Sequence, residues 1–301
     1  MAQFKRIVRL TVGQPGKDGV VIENLKISFD IDKDLTQQTN KCNVKIFNLA
    51  PETRKKVERP DSICILEVGY QEDIGLRRIF IGAITHAWTG GDGPDAVTEL
   101  EMSDGQVAIR DSVISVGYSA GANGGKIVSD IAAQMGLLLR VANDVLFTDY
   151  PNGYSYAGYA KTALDKVCSA AGAIWSIQNN ELQVIMGGGT NGVRALAFSA
   201  NSGLIGSPER IVKGVKRADS DKEQEKKKKR KVKKQDKHEK KAGWKIKSLL
   251  APTVNPGDAV RVESRTVTGW FRVETLKHSG DTHGNEWFTE HNIVEVILDN
   301  E

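Results

Sequence analysis

Period-2 alternation of apolar and polar residues dominates both ends of this chain, and a helical period replaces it only in the middle. Ile7–Val12, Leu25–Ile31 and Cys42–Phe47 alternate as half-buried strands do. The segments QPGKDG and DIDKDLTQQTN between them supply turn or loop residues. In NLAPETRKKVERPDS, Asn48 ends a strand and Pro51 opens a short helix with Glu52 in its first turn. Lys55 and Lys56 close that helix, and Pro60 stops it. Residues 1–105 therefore predict one small sheet or barrel with a short helix.

Near Asp111 the period changes. Ile127, Ile131, Met135 and Leu138 form one helical stripe; Ala160, Ala163, Leu164, Val167, Cys168 and Ala171 form a second. Gly172 suits the C′ position of the second helix. AIWSIQ and ELQVIM then flank Asn179-Asn180, a pair fitted to the positive φ of a type I′ turn. Together these predict a compact α/β module over 106–190, ending in the linker-like GGGTNG at 187–192. Strand character returns over 191–301, interrupted by a Lys-rich insert at 217–243. The flanks of the insert, ERIVKGVK and WKIKSLL, are expected to pair beneath it.

The two ends also repeat each other. Residues 61–104 and 257–297 both read strand, strand, Gly/Asp turn, strand, with Ile63, Ile65 and Glu67 matched to Val260, Val262 and Ser264. The turn segments His86–Glu99 and His278–Glu290 differ in length by one residue. A duplicated β unit around a different middle predicts a surface presented more than once.

Composition adds limits. An apolar share of 40% and a charged share of 27% are those of a soluble globular chain. No uncharged apolar run approaches the ~18 residues of a membrane span, so no stable membrane insertion is expected. MAQFKRIVRLTV lacks the apolar region of a signal peptide. Cys42, Cys64 and Cys168 lie far apart without a C-x-x-C pair and read as buried, reduced thiols of a chain folded in a cytoplasm. The net charge of +4 is misleading: the tract 219–241 alone carries +6, which leaves the remainder at −2. A tract this polar cannot bury enough surface to offset its ordering entropy. It reads as a solvated loop or assembly contact ahead of a nucleic-acid contact, because no aromatic residue is interleaved for stacking on bases.

Candidate chemistry is sparse. His278, Asp281, His283, Glu286, Glu290 and His291 are metal-ligating types, but they straddle a hairpin turn, and adjacent Glu290 and His291 point to opposite faces. A solvated hairpin is the better reading. SAGANGGK at 119–126 has a phosphate loop's glycines and lysine at the wrong spacing, so a plain helix start is preferred. There is no G-x-S-x-G, H-E-x-x-H or Walker loop. No catalytic, cofactor-binding or metal residue is assigned, no cofactor is expected, and an enzyme is not indicated.

NVKIFNLAPETRKKV at 43–57, followed by ILEVGY, IFIGAI and a strand ending at Ser103–Gly105, resembles phage tail baseplate hub proteins. AGYAKTALDKVCSAAGAIWSIQNNELQVI, SGLIGSPERIVKGVK with IKSLLAPTVNPGDAVRVES, and GDTHGNEWFTE are similar to later parts of that family, in the same order. The insert departs from the pattern, since the G-V-K strand there commonly runs on into S-L-L. The resemblance implies an α+β, mostly β fold: two tube-like antiparallel β-barrel domains flanking a small α/β module. It implies kinship with the N-terminal part of type VI secretion spikes. It further implies a homotrimer forming a pseudo-sixfold ring between the hexameric tail tube, or its initiator, and the trimeric central spike. The lumen of that ring would pass the tape-measure protein and then DNA. The location implied is the virion tail baseplate, after assembly in the host cytoplasm. The alternative carried forward is a spike-associated cell-wall hydrolase or metalloenzyme built on the C-terminal hairpin.

Overall fold

The computed structural model describes residues 5–14, 16–59, 62–211 and 243–296. The Lys-rich tract, 219–241, lies outside them. The N-terminal stretch holds β1 (Arg6–Gly13), β2 (Val20–Ile22), β3 (Ile27–Asp34), β4 (Lys41–Phe47), α1 (Pro51–Val57), β5 (Ile63–Tyr70), β6 (Gly75–Asp92) and β7 (Asp95–Ser103). Alternation in the sequence becomes burial here: Ile27, Phe29 and Ile31 face the core while Asp32 is exposed. Helix α1 carries Glu52 in its first turn and Arg54, Lys55 and Lys56 in its last. Each sign sits where the helix dipole favours it.

The middle stretch holds α2 (Gln106–Asp111), β8 (Val113–Tyr118), β9 (Ala122–Asn123), α3 (Gly124–Gln134), β10 (Leu138–Val141), β11 (Asp149–Tyr150), β12 (Tyr154–Tyr159), α4 (Ala160–Ala170), β13 (Ala173–Gln178) and β14 (Glu181–Met186). Ile127 and Ile131 of α3, and Ala160, Ala163, Leu164, Val167 and Cys168 of α4, are buried as their spacing requires. The first stripe ends early. Gly136 turns the chain at φ +69, so Leu138 falls on β10 and is 74% exposed. A left-handed glycine two residues past a helix end breaks the period that sequence spacing alone extends. At the other turn, Asn179 and Asn180 take φ 54° and 66° between β13 and β14, and Gly172 takes φ 67° after α4.

The C-terminal stretch holds β15 (Arg194–Ser199), β16 (Leu204–Ile211), β17 (Gly243–Leu249), β18 (Ala259–Glu263), β19 (Thr268–Asp281) and β20 (Trp287–Glu295). The flanks of the insert do pair: Glu209 lies opposite Lys245 and Ile211 opposite Gly243.

The overall class is α+β and mostly β, and among the described residues the sheets do not close into barrels. Thirteen strands make one sheet, ordered β16-β17-β20-β19-β3-β4-β7-β6-β5-β1-β2, with β18 on the flank of β19 and β15 beyond it. The sheet is open at β16 and β2, and β15 runs parallel to β18, so it is not wholly antiparallel. The cause lies in two long strands. β6 and β19 each pair with the preceding strand along their first half and with the following strand chiefly along their second. A bulge marks the changeover in both, between Ile84 and His86 and between Val273 and Thr275. Bulges bend and twist a strand. The second half of β19 is thereby left with one side open, and β3 fills it, from Ser28 opposite Asp281 to Asp34 opposite Thr275. This joint unites the two ends of the chain.

The repeat is therefore structural: β5–β6–β7 and β18–β19–β20 are the same meander. Counting from the bulges corrects the alignment made from sequence. Cys64 and Leu66, not Ile63 and Ile65, correspond to Val260 and Val262, and all four are fully buried. A one-residue slip exchanges the faces of a strand. Thr89, not His86, corresponds to His278. Thr89 Oγ1 meets Thr98 Oγ1 at 3.0 Å where His278 Nδ1 meets Thr289 Oγ1 at 2.8 Å.

Three hydrophobic clusters follow the three stretches, yet the first also takes in Leu250 and Trp287, and the second takes in Leu35. Cys42, Cys64 and Cys168 are free and buried, and burial raises each thiol pKa, that of Cys168 to about 12. Among the described residues, no helix is long and apolar enough to cross a membrane.

Candidate functional site

The residues that hold the three stretches together centre on a lysine that the sequence placed in a loop. β3 continues past Ile31, and its inward face reads Ile27, Phe29, Ile31 and Lys33, with Leu35 buried just beyond its end. Lys33 is 2% exposed, and its Nζ donates to Asn179 Oδ1 and Asn255 Oδ1, both at 3.0 Å. Asn179 belongs to the β13–β14 turn and Asn255 to the loop before β18, so one cation ties all three stretches. Asp104 accepts from the backbone N–H of Asn180 at 2.9 Å and from that of Asn179. Asn40 donates to Ile177 O at 2.8 Å. Asp258 accepts from the Asn255 N–H at 2.8 Å and from Asn191 Nδ2 at 2.6 Å. The GGGTNG segment is docked rather than a free linker: Arg272 Nη1 reaches Gly189 O at 2.6 Å, and Asn191 is buried.

Burial sets the electrostatics of this junction. It pulls Lys33 down to about 8 against the opposing pull of Asp104 and Asp258, and lifts Asp258 to about 6. It raises Asp104 as well, while the donated N–H bonds lower it. The alternation over 27–35 was the signal for Lys33; turn-forming residues around it masked that signal.

The candidate metal residues disperse. His283 Nδ1 lies 2.9 Å from Thr282 Oγ1, Asp281 Oδ1 accepts from the N–H groups of His283 and Gly284, and Glu290 pairs with Lys245 at 2.8 Å. Among the described residues, no group of three or more metal-ligating side chains converges. His278 and His291 are fully buried. His291 Nε2 lies 3.0 Å from Ser248 Oγ, whose own proton goes to Leu249 O at 2.9 Å, so Nε2 carries the hydrogen and donates. Burial holds His291 down at about 3, and burial, with Lys33 and His291 adding to it, lowers His278. Both rings are neutral in the folded chain near neutral pH. Unfolding below their ordinary pKa of 6.5 takes up a proton at each, so their contribution is complete above 6.5 and is lost as pH falls. His291→Gln is expected to flatten the acid limb of stability by up to about 1.4 kcal/mol per pH unit. Urea unfolding between pH 4 and 7 measures this; an unchanged slope would refute it.

In the SAGANGGK segment, Asn123 accepts the Gly125 N–H at 2.8 Å, an ordinary helix cap. A surface depression of ≈ 500 Å³ is lined by Asp32, Asp34 and Glu290 with Lys245 and Lys277, mixed charge that selects no one ligand sign. The exposed large apolar side chains include Trp88 on β6, Ile205 and Ile211 on β16, Val107 on α2, and Leu138 and Leu146 in the middle stretch. This is a molecule of sheet edges and a locked polar centre.

Viral tail proteins share this architecture. The prophage MuSo2 43 kDa tail protein from Shewanella oneidensis superposes with a TM-score of 0.65 at 11% identity, covering 96% of this chain and 98% of its own. A tail protein from Neisseria meningitidis MC58 gives 0.62 at 12% identity, covering 96% of each. An E. coli component of the type VI secretion system, described as structurally similar to T4 tail proteins gp27 and gp5, gives 0.58 at 10% identity, covering 94% of this chain and 76% of its own. At such identities the likeness is one of fold. No curated protein sequence matches the chain. The family model described as "Baseplate hub gp41" matches residues 7–218, and the chain belongs to that family. It is a structural phage tail protein of the baseplate hub, a component of the virion tail and not an enzyme.

Proposed function

We propose that this hub protein is the adaptor between a hexameric tail tube, or its initiator, and a trimeric central spike. Three copies, each carrying the duplicated meander once in 1–105 and once in 191–301, form a pseudo-sixfold ring. The 106–190 module packs outside the duplicated sheet elements and carries no repeat. The ring lines the channel for the tape-measure protein and DNA, and it assembles in the host cytoplasm. No catalytic, cofactor or metal residue is needed for this role.

The observation that carries the reading is the β3–β19 joint, by which one meander unit already adjoins the other within a chain. Joining unlike surfaces in this head-to-tail way produces rings when the rotation closes. A spike partner is supported by fold likeness to the E. coli type VI component. The hydrolase alternative gains nothing from the C-terminal hairpin, where His278, His291, Glu290 and Asp281 are engaged with Thr289, Ser248, Lys245 and turn amides. Sedimentation of the full chain, alone and with its spike protein, is expected to give a trimer. Monomer under both conditions overturns the proposal.

A further inference from the structure

The internal joint contains the instructions for a second one. β3 lies between β4 and the second half of β19. Its counterpart in the other unit is β16, and the counterpart of β19 is β6. Among the described residues, β16 pairs only with β17. Among the described residues, the second half of β6, residues 86–92, pairs with β7 on one side and with no strand on the other. Each copy thus carries both halves of an unmade joint.

The geometry points to strand addition between copies: β16 of one chain pairs antiparallel with residues 86–92 of β6 in a second copy of this chain. This deepens the ring reading and rests on it.

The register follows from the pairings. Ile84 opposite Met102 and Val273 opposite Ile293 are the last pairs before each bulge, which makes Met102 equivalent to Ile293. Cys42 faces Met102 and Trp244 faces Ile293, so Lys41 corresponds to Gly243. Asp32 faces Lys41 and Ile211 faces Gly243, so Asp32 corresponds to Ile211. Past the bulge, Trp88 corresponds to Lys277. Because Asp32 lies opposite Lys277 in the internal joint, Ile211 lies opposite Trp88 of the neighbour.

Exposure supports this independently. Trp88 is 52% and Ile211 39% exposed, two of the few large apolar side chains left at the surface, on the two unpaired edges and in register. In the internal joint, Lys277 lies opposite Asp32. Between copies an aromatic and a β-branched residue take that place, a favourable cross-strand pair. Unpaired strand edges are templates for another chain, and an apolar pair on such an edge needs a cover.

The test is disulfide trapping in the full chain, whose native cysteines are buried. Directly opposed residues in an antiparallel pair are about 4.5–5.5 Å apart at Cα, within disulfide reach. The W88C/I211C double variant is expected to give, on mild oxidation, a ladder ending at trimer. A mixture of the two single variants should stop at dimer, and A87C/I211C, with one side chain on the other face, should stay uncrosslinked. A sedimenting trimer that does not crosslink overturns this inference and leaves the ring reading standing. Monomer at every concentration, alone and with the spike protein, overturns both. A disulfide closed within one chain overturns the inference too, since β16 then meets its own β6. As a second variant, Ile211→Lys is expected to weaken association roughly tenfold or more with unchanged circular dichroism; undiminished association counts against the pairing.

Discussion

Replacing Trp287 by alanine is expected to cost about 3–5 kcal/mol, a large share of the ~5–15 kcal/mol that holds a domain folded. Trp287 opens β20, belongs to the C-terminal stretch, and is 3% exposed inside the N-terminal cluster. Its ring meets Phe29 edge-on at 5.7 Å and Tyr70 at 6.3 Å, and the Arg6 guanidinium lies over it at 5.3 Å. Truncation removes the transfer free energy of a large aromatic and leaves a cavity that β3 and β20, fixed by their ladders, cannot collapse to fill. Because the cavity lies between the two ends of the chain, urea unfolding followed by circular dichroism should show one transition shifted to lower denaturant. Trp88→Ala, at an exposed position, should change the stability of the isolated chain by no more than about 0.5 kcal/mol. Similar losses for the two variants would sink the argument.

Lys33→Met is expected to destabilise the chain by about 3–5 kcal/mol at pH 7, because it removes one partner from a buried charged cluster. Methionine fills a similar volume, so packing loss is small. The cost is electrostatic: Asn179 and Asn255 lose their shared donor, and Asp104 and Asp258 lose the cation that favours their ionised forms. The pH dependence has a definite sign. Asp258, at about 6, is raised above its ordinary value of 3.8, so the folded state holds its proton over a window where the unfolded chain has released it. Stability from such a group is present below the unfolded value and is lost as pH rises through the folded one. Removing Lys33 pushes that folded value higher still. The deficit should therefore be greatest above pH 6 and shrink towards pH 4. Urea titrations of both proteins across that range measure it; a deficit that grows on acidification would contradict the assignment.

Local signals in the sequence were faithful wherever one residue type had one physical use. Asn179-Asn180 announced a type I′ turn and Pro51 a helix start, and both form; the expected pairing of the insert's flanks forms from Glu209 to Ile211, and 212–216 lie outside the described residues. Where signals competed, sequence misled. Turn-formers at 34–40 disguised Lys33 as a loop residue, although a buried lysine is the hub of the polar junction. Leu138 continued a helical stripe numerically, but Gly136 had already ended the helix. The repeat was visible, yet its alignment slipped by one residue at Ile63 and by three at His86, because only the bulges fix register and a bulge has no fixed sequence mark.

By itself, then, the order of residues determined the mostly β class, the helical middle and the duplication, since each depends on neighbours a few positions apart. Only the folded chain decided that both ends would share one sheet, that Lys33 would lie within it, and that β16 and the far half of β6 would each keep one open edge among the described residues. Those outcomes depend on contacts between residues far apart in the chain, such as Ser28 with Asp281. Such pairings are selected by burial and by strand twist over the whole molecule, and no local pattern encodes them.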